Sequence, residues 1–287
     1  MNTPAAPFVV GVGRSGTTLL RLMLDAHPDL AIPGETHFLT EIVKDRAKPL
    51  RREDLADLMT GSATWDNLAT GADSFRAVLE TVEPFSVADG VRAFYRFYAA
   101  RHGKRRWGDK TGFYLRSMTA IQALLPEAHF IHIIRDGRDI ALSRQGLWFG
   151  PGDDFDAQAR FWVDGIARAR EQAPLLAHYM EVRFETLVSR PQQTLNDICN
   201  FIGLNFHTAM VSHHAGAAER LAEYRKPFGP ADRTPNDIEA FRAIYRPAAG
   251  VTDPSRAHRW KTEMGAEVRQ RYESIAGPLL VELGYET

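Results

Sequence analysis

The chain has 287 residues, 44% hydrophobic and 25% charged, enough for one large α/β domain with a sizeable core. Its formal net charge of −1 excludes a global basic field, and with it nucleic acid as the expected partner. A single cysteine excludes an intrachain disulfide, and with neither an eighteen-residue apolar run nor a basic-then-apolar N-terminus the expectation is a cytoplasmic protein without a membrane span.

Residues 8–12 are apolar and β-branched and run into glycines, which predicts a buried parallel strand ending in a turn. TTLLRLMLDAH then carries Leu19, Leu20, Met23 and Leu24 at helical spacing, so a helix begins near Thr17. ETHFLTEIVKDR reads as a helix from about Glu35, and residues 74–102 as two amphipathic helices separated by Pro84. RRWGDKT predicts a short strand and loop, and FYLRSMTAIQALL a helix ending at Pro126. HFIHII, residues 129–134, is the second clear strand, followed in RDGRDIALSRQ by a turn at Gly137 and a helix. DDFDAQARFWVDGIARAREQ is a long helix, and residues 178–187 hold a strand and then a turn. PQQTLNDICNFIGL is a helix with Pro191 at its start and Gly203 near its end. Residues 225–257, with five prolines, predict a long excursion that serves as a lid or binding loop, and residues 262–283 are helical again. The alternation implies a P-loop-type, mainly parallel central sheet with helices on both faces, in a single domain over residues 1–287.

Three features converge on an anion. GVGRSGTTLL places Gly11 and Gly16 at P-loop spacing with Thr18 at the hydroxyl position, but Thr17 stands where the lysine belongs and Arg14 lies inside the loop. Gly13 and Gly16 permit a tight turn whose N–H groups, with the helix behind them, cradle an anion, and Ser15, Thr17 and Thr18 add hydroxyls. The planar fork of Arg14 supplies the positive charge. Second, Arg135 ends a predicted strand, at the sheet edge where ligands bind, with Ser143 about two helical turns on. The competing readings there are a magnesium-binding strand end at Asp136, which an arginine in front of it disfavours, and surface ion pairs among Arg135, Arg138 and Asp139. Third, Lys110 follows a short strand, where by itself it reads better as a solvated loop charge and gains weight only from the other two features. Cys199 and His132 read as core residues, and His213 and His214 have no companion ligands, so no metal site is expected.

GVGRSGTTLLRLMLDAHPDLAIPGETHF resembles the opening of sulfotransferases that use 3′-phosphoadenosine 5′-phosphosulfate (PAPS), most closely the tyrosylprotein sulfotransferase-like branch. FIHIIRDGRDIALS resembles the family's second signature, VRFETLVSRPQQTLNDICNFIGL the segment after it, and HRWKTEM a C-terminal one, so the likeness runs from about residue 8 to residue 262. The resemblance implies that Arg14, Ser15, Gly16, Thr17 and Thr18 bind the 5′-phosphosulfate, and that Arg135 and Ser143 bind the 3′-phosphate. It implies Lys110 beside the bridging oxygen, Glu35 as the catalytic base, and Lys261 or Arg259 closing over the donor. The chain departs from the pattern at Phe184, where the family often has tyrosine, and in its C-terminal arginines, where Arg256 and Arg259 are approximate stand-ins.

The expected reaction is sulfuryl transfer from PAPS, without a metal, to an acceptor hydroxyl or amine. The sulfuryl group carries one fewer negative charge than a phosphoryl dianion, so magnesium is not needed for the reason kinases need it. Arg14, Lys110 and the backbone donors provide preorganised stabilisation of the leaving group. Glu35 is the first choice for the base and His37 the second. The acceptor is a small molecule, carbohydrate, lipid or peptide tyrosine, with residues 38–102 and 225–257 expected to form its pocket. Phe85, Phe94, Tyr95, Phe97, Tyr98 and Trp148 suit an aromatic site, though helical spacing favours core packing. A P-loop kinase or NTPase and a non-catalytic nucleotide-binding protein are the alternatives, and a homodimer is left open.

Overall fold

The computed structural model describes residues 3–44, 50–229 and 237–287. The chain runs through β1 (Ala6–Val10), α1 (Thr17–Asp25), β2 (Leu30–Ala31), α2 (Phe38–Ile42), α3 (Arg52–Thr60), α4 (Ala72–Glu80) and α5 (Val87–Arg101). Then come β3 (Arg106–Trp107), β4 (Asp109–Lys110), α6 (Met118–Leu124), β5 (Ala128–Ile134), α7 (Gly137–Arg144), α8 (Phe155–Gln172) and β6 (Tyr179–Arg183). It closes with α9 (Phe184–Ser189), α10 (Pro191–Phe201), α11 (His214–Ala222), α12 (Ile238–Ala243), α13 (Trp260–Glu263) and α14 (Ala266–Glu282).

The central sheet has the order β4-β1-β5-β6 with every pair parallel, while β2 and β3 form a separate parallel pair. Phe8 lies opposite Asp109 on one side and Phe130 on the other, and Val9 opposite Lys110 and Ile131. Because side chains alternate along a strand, Phe8 and Val10 enter one core and Val9 the other. The first core is aromatic and takes in α3, α4 and α5 through Phe75, Phe94 and Tyr95; the second holds α1, α9 and α10 through Leu20, Leu187 and Ile198. A third seals α7, α8 and α14 around Trp162, and a fourth packs Leu221, Phe241 and Tyr245 against Leu22 of α1. Side-chain caps set several helix starts: Ser86 accepts the amide of Asp89 in α5, Asp136 that of Arg138 in α7, Asp154 that of Asp156 in α8 and Asp237 that of Glu239 in α12. β1 has later strands on both sides, so its carboxyl end, with those of β4 and β5, forms the switch-point crevice of an open α/β sheet.

Several elements differ from the sequence expectation. The helix expected from Glu35 begins at Phe38, and its far end falls at residues outside those described. RRWGDKT makes two short strands in different sheets rather than one. Residues 112–116 form a 3-10 turn ahead of α6, and the turn expected after β6 is helix α9, because Phe184, Leu187 and Val188 all bury at helical spacing. Residues 237–257 contain α12, and residues 230–236 of the expected excursion lie outside the described set. β2 and α11 carry too few regularly spaced apolar residues to have been read, α11 burying only Ala217 and Leu221, whereas α3, with Leu55, Ala56 and Met59 at helical spacing, was missed. No helix among the described residues is long and apolar enough to cross a membrane.

Candidate active site

A cavity of about 460 Å³ opens where β1, β4 and β5 end. Gly16 precedes the first turn of α1 at φ 106, and a Cβ there would stand 2.5 Å from the Phe184 ring, so both backbone and neighbour demand glycine. Thr17 and Thr18 in that first turn border the cavity, and no acidic residue lies there to compete for an anion at the positive end of the helix. Arg14 also borders it, in left-handed backbone at φ 76, an uncommon conformation for a residue with a Cβ and one that concentrates at functional sites. Ser15 is different: its hydroxyl is buried under the loop without a partner, and its amide closes the turn onto the Val12 carbonyl at 3.0 Å.

Three arginines converge on this crevice. Arg14 donates from Nε to Ser143 Oγ at 3.1 Å and from a terminal nitrogen to the Ile244 carbonyl at 3.1 Å. Burial, with Arg135 and Arg256 nearby, brings its pKa down to about 10 despite an opposing contribution from Tyr245. Arg135 lies over the Phe184 ring at 4.4 Å and donates to the carbonyls of Arg14 and Arg256 at 3.2 and 2.6 Å, while its Nε has no partner. Phenylalanine in place of tyrosine keeps the ring face on which Arg135 rests but lacks the hydroxyl. Arg144, missed by the sequence reading, is buried between Phe149 and Phe161 and makes only long contacts, 3.3 Å to the Gly13 carbonyl and 3.4 Å to that of Phe149. Its Nε is unpartnered, and burial, then Arg14, brings its pKa down to about 10. Neither Arg14 nor Arg144 has a carboxylate partner among the described residues. A buried cation without a counter-charge is costly, so this arrangement suits an anionic ligand. Adjacent to Ser143 on α7, Arg144 gave no signal by spacing; burial alone distinguishes it.

The acid–base side is built from the segment before α2. The Thr36 amide donates to Thr111 Oγ1 at 3.0 Å, and its hydroxyl donates to Asp109 Oδ2 at 2.8 Å and meets the Tyr114 hydroxyl at 2.7 Å. Burial pushes Asp109 up to about 6. With Thr36 pinned to the end of β4, Glu35 and His37 on either side of it border the cavity. Lys110 Nζ donates to Glu35 Oε1 at 2.9 Å, and His37 Nε2 lies 2.9 Å from Glu35 Oε2. Burial opposes ionisation of Glu35, but Lys110, then His37, hold its carboxyl well below the usual range. Lys110 is fully buried and does not itself border the cavity: it acts from behind Glu35, and the solvated-charge alternative is set aside. His37 stands at φ 56, again left-handed.

The acceptor side departs from expectation. No described residue of 38–102 borders the cavity; Phe94, Tyr95 and Tyr98 are core, and Trp148 alone of the proposed aromatics reaches it. Its apolar wall comes from Phe228 and Val251, within the expected stretch 225–257, and from Phe113, Phe149 and Phe161, which lie outside both expected stretches. Arg256 and Arg259 border it, Arg259 paired with Glu263 at 2.8 Å, whereas Lys261 pairs with Glu286 away from the lining. Arg138, offered as a surface charge, is buried and fully paired with Asp136 and Glu273. Cys199 is buried, as is His132, whose Nδ1 meets the Tyr179 hydroxyl at 2.7 Å while Nε2 is unpartnered. Among the described residues, no three His, Cys, Asp or Glu side chains cluster to hold a metal.

Comparison with known proteins gives this geometry a context. A model of the sulfotransferase family matches residues 7–208. A putative protein-tyrosine sulfotransferase of Caenorhabditis briggsae is 30% identical over 72% of this chain and 68% of its own length. The nodulation protein NoeE of Sinorhizobium fredii is 28% identical over 99% of this chain and 66% of its own. The chain therefore spans about two thirds of the length of these relatives. In fold it is similar to the sulfotransferase domain from the curacin biosynthetic pathway, with a TM-score of 0.61 and 21% identity over 100% of this chain and 99% of that one.

Proposed function

The chain belongs to the sulfotransferase family and transfers a sulfuryl group, and we propose that it takes this group from PAPS and delivers it to an acceptor hydroxyl in the aromatic-walled cavity. The observation that carries the donor is the set of arginines facing the start of α1: among the described residues Arg14 and Arg144 have no carboxylate partner, and Arg135, 3.7 Å from Asp139, keeps an unpartnered Nε. A nucleoside with phosphates on both the 3′ and 5′ positions of its ribose supplies the anions that Arg14 and Arg144 are missing. Thr17, Thr18 and Arg14 would hold the 5′ end, and Arg135 and Ser143 the 3′-phosphate. The bound donor supplies the activated sulfuryl group. The chain's own residues orient it, shield it from water and remove the acceptor's proton. The positive end of α1 and Arg14 face the charge that grows on the departing phosphate. Lys110 keeps Glu35 ionised, and the Glu35–His37 pair receives the proton.

For the acceptor, Phe113, Phe149 and Phe228 suit an aromatic ring, and a relative named as a protein-tyrosine sulfotransferase favours a phenol presented as tyrosine. Small-molecule, carbohydrate and lipid hydroxyls are the other arms of an acceptor screen. The donor is tested by titration calorimetry with adenosine 3′,5′-bisphosphate without magnesium, beside ATP with magnesium. Tight binding of the bisphosphate and weak binding of ATP is the expected outcome; preference for magnesium-ATP would overturn the reading.

A further inference from the structure

We propose that His37 is the general base and that Glu35, held by Lys110, is the positioning carboxylate behind it. The inference rests on the sulfuryl-transfer reading and refines its proton step.

Both Glu35 oxygens are already engaged, Oε1 by Lys110 and Oε2 by His37, each at 2.9 Å. An ionised carboxylate only accepts, so His37 Nε2 is the donor in its contact and Nδ1 is the ring nitrogen with the free lone pair. Nδ1 has no hydrogen-bond partner among the described residues, and the His37 ring borders the cavity, near Phe228 at 5.7 Å between centroids. If Glu35 took the acceptor proton itself, the fully buried ammonium of Lys110 would lose its counter-charge. If His37 takes it, an imidazolium forms against a carboxylate that stays ionised, and the Lys110–Glu35 pair survives the step. The buried Lys110, the bridging Glu35 and the part-exposed His37 form one line from core to cavity. The left-handed backbone at His37, next to a Thr36 bonded through both amide and hydroxyl, keeps the imidazole at the end of that line.

In the step, the acceptor oxygen forms its bond to sulfur as the bond from sulfur to the bridging phosphate oxygen breaks. The electron pair of the broken bond stays on the phosphate, and the acceptor's proton moves to His37 Nδ1. His37 afterwards returns the proton to water.

The test is release of adenosine 3′,5′-bisphosphate from PAPS by wild-type, His37→Ala and His37→Gln chains, with water and with 4-substituted phenols of rising pKa as acceptors. Calorimetric affinity for the bisphosphate serves as the control for folding. Turnover is expected to fall about 100-fold or more in both variants. The loss should grow with acceptor pKa, added imidazole should restore part of the His37→Ala rate, and bisphosphate affinity should stay within about two-fold. Turnover within about three-fold of wild type, or a loss indifferent to both imidazole and acceptor pKa, would overturn the assignment and return the proton to Glu35. A wild-type chain that does not bind the bisphosphate would overturn the parent reading instead, so the two failures are distinguishable.

Discussion

The two ends of α7 carry arginines in opposite circumstances. Arg138, in its first turn, is buried with Asp136 at 2.8 Å, Glu273 at 2.5 Å, the Glu286 carbonyl at 2.6 Å and the Trp260 ring at 3.4 Å. Burial pulls its pKa down, but the pairs with Asp136 and Glu273 more than offset this and raise it. Arg144, in the last turn, is equally buried but meets only carbonyls and rings, and its pKa falls. One helix thus holds a guanidinium already satisfied by protein carboxylates, which ties α7 to α14, and another that has no carboxylate partner among the described residues. A buried arginine is informative about function when its partners are missing, because an unpaired buried charge is maintained at a cost.

The sharpest way to break this comparison is to delete the paired arginine. Arg138→Ala leaves Asp136 buried and uncompensated, so it should lower unfolding free energy by about 3–5 kcal/mol, read from urea denaturation; an unchanged midpoint would remove the contrast. Next in size, adenosine 3′,5′-bisphosphate at about 100 times its Kd should stabilise the wild type by about 2.7 kcal/mol, and a thermal melt that does not move would show that the open arginines take another anion. Third, Arg144→Gln should weaken bisphosphate binding by about 10- to 100-fold, corresponding to about 1.5–3 kcal/mol for hydrogen bonds to a charged group. Its unliganded stability should hardly change, and a large drop there would make Arg144 a second Arg138. The smallest effect is expected at Lys261→Ala: its ammonium pairs with Glu286 off the cavity, so calorimetry should find bisphosphate affinity within about two-fold.

The loop end of the cavity was largely legible in the sequence because it is built locally. A strand, a glycine turn and a helix start lie consecutively at residues 6–25, and their backbone groups make the cradle whatever else the chain does. Arg135 was legible for the same reason, as a charge at a strand end. The acceptor wall was legible only in part: residues 225–257 supply Phe228 and Val251 as expected, but Phe94, Tyr95 and Tyr98 bury in the first core, and Phe113, Phe149 and Phe161 arrive from a 3-10 turn, a loop and α8. Nor does spacing reveal that Ser15 turns beneath its loop or that Lys110 stands behind Glu35, because both depend on neighbours brought in by strand pairing.

By itself the sequence determined the α/β class, the phosphate-type loop without its lysine, and the family, since these rest on residues close together along the chain. Only the tertiary structure decided which arginines are paired with carboxylates and which, among the described residues, are not. It alone joined Lys110, Glu35 and His37 into one line and chose the aromatics that face the cavity. The physical reason is that burial and pairing are properties of residues distant in sequence: Lys110 and Glu35 are 75 positions apart, and Arg14 and Ser143 are 129 apart. Charge in a protein acquires its meaning from what surrounds it in space.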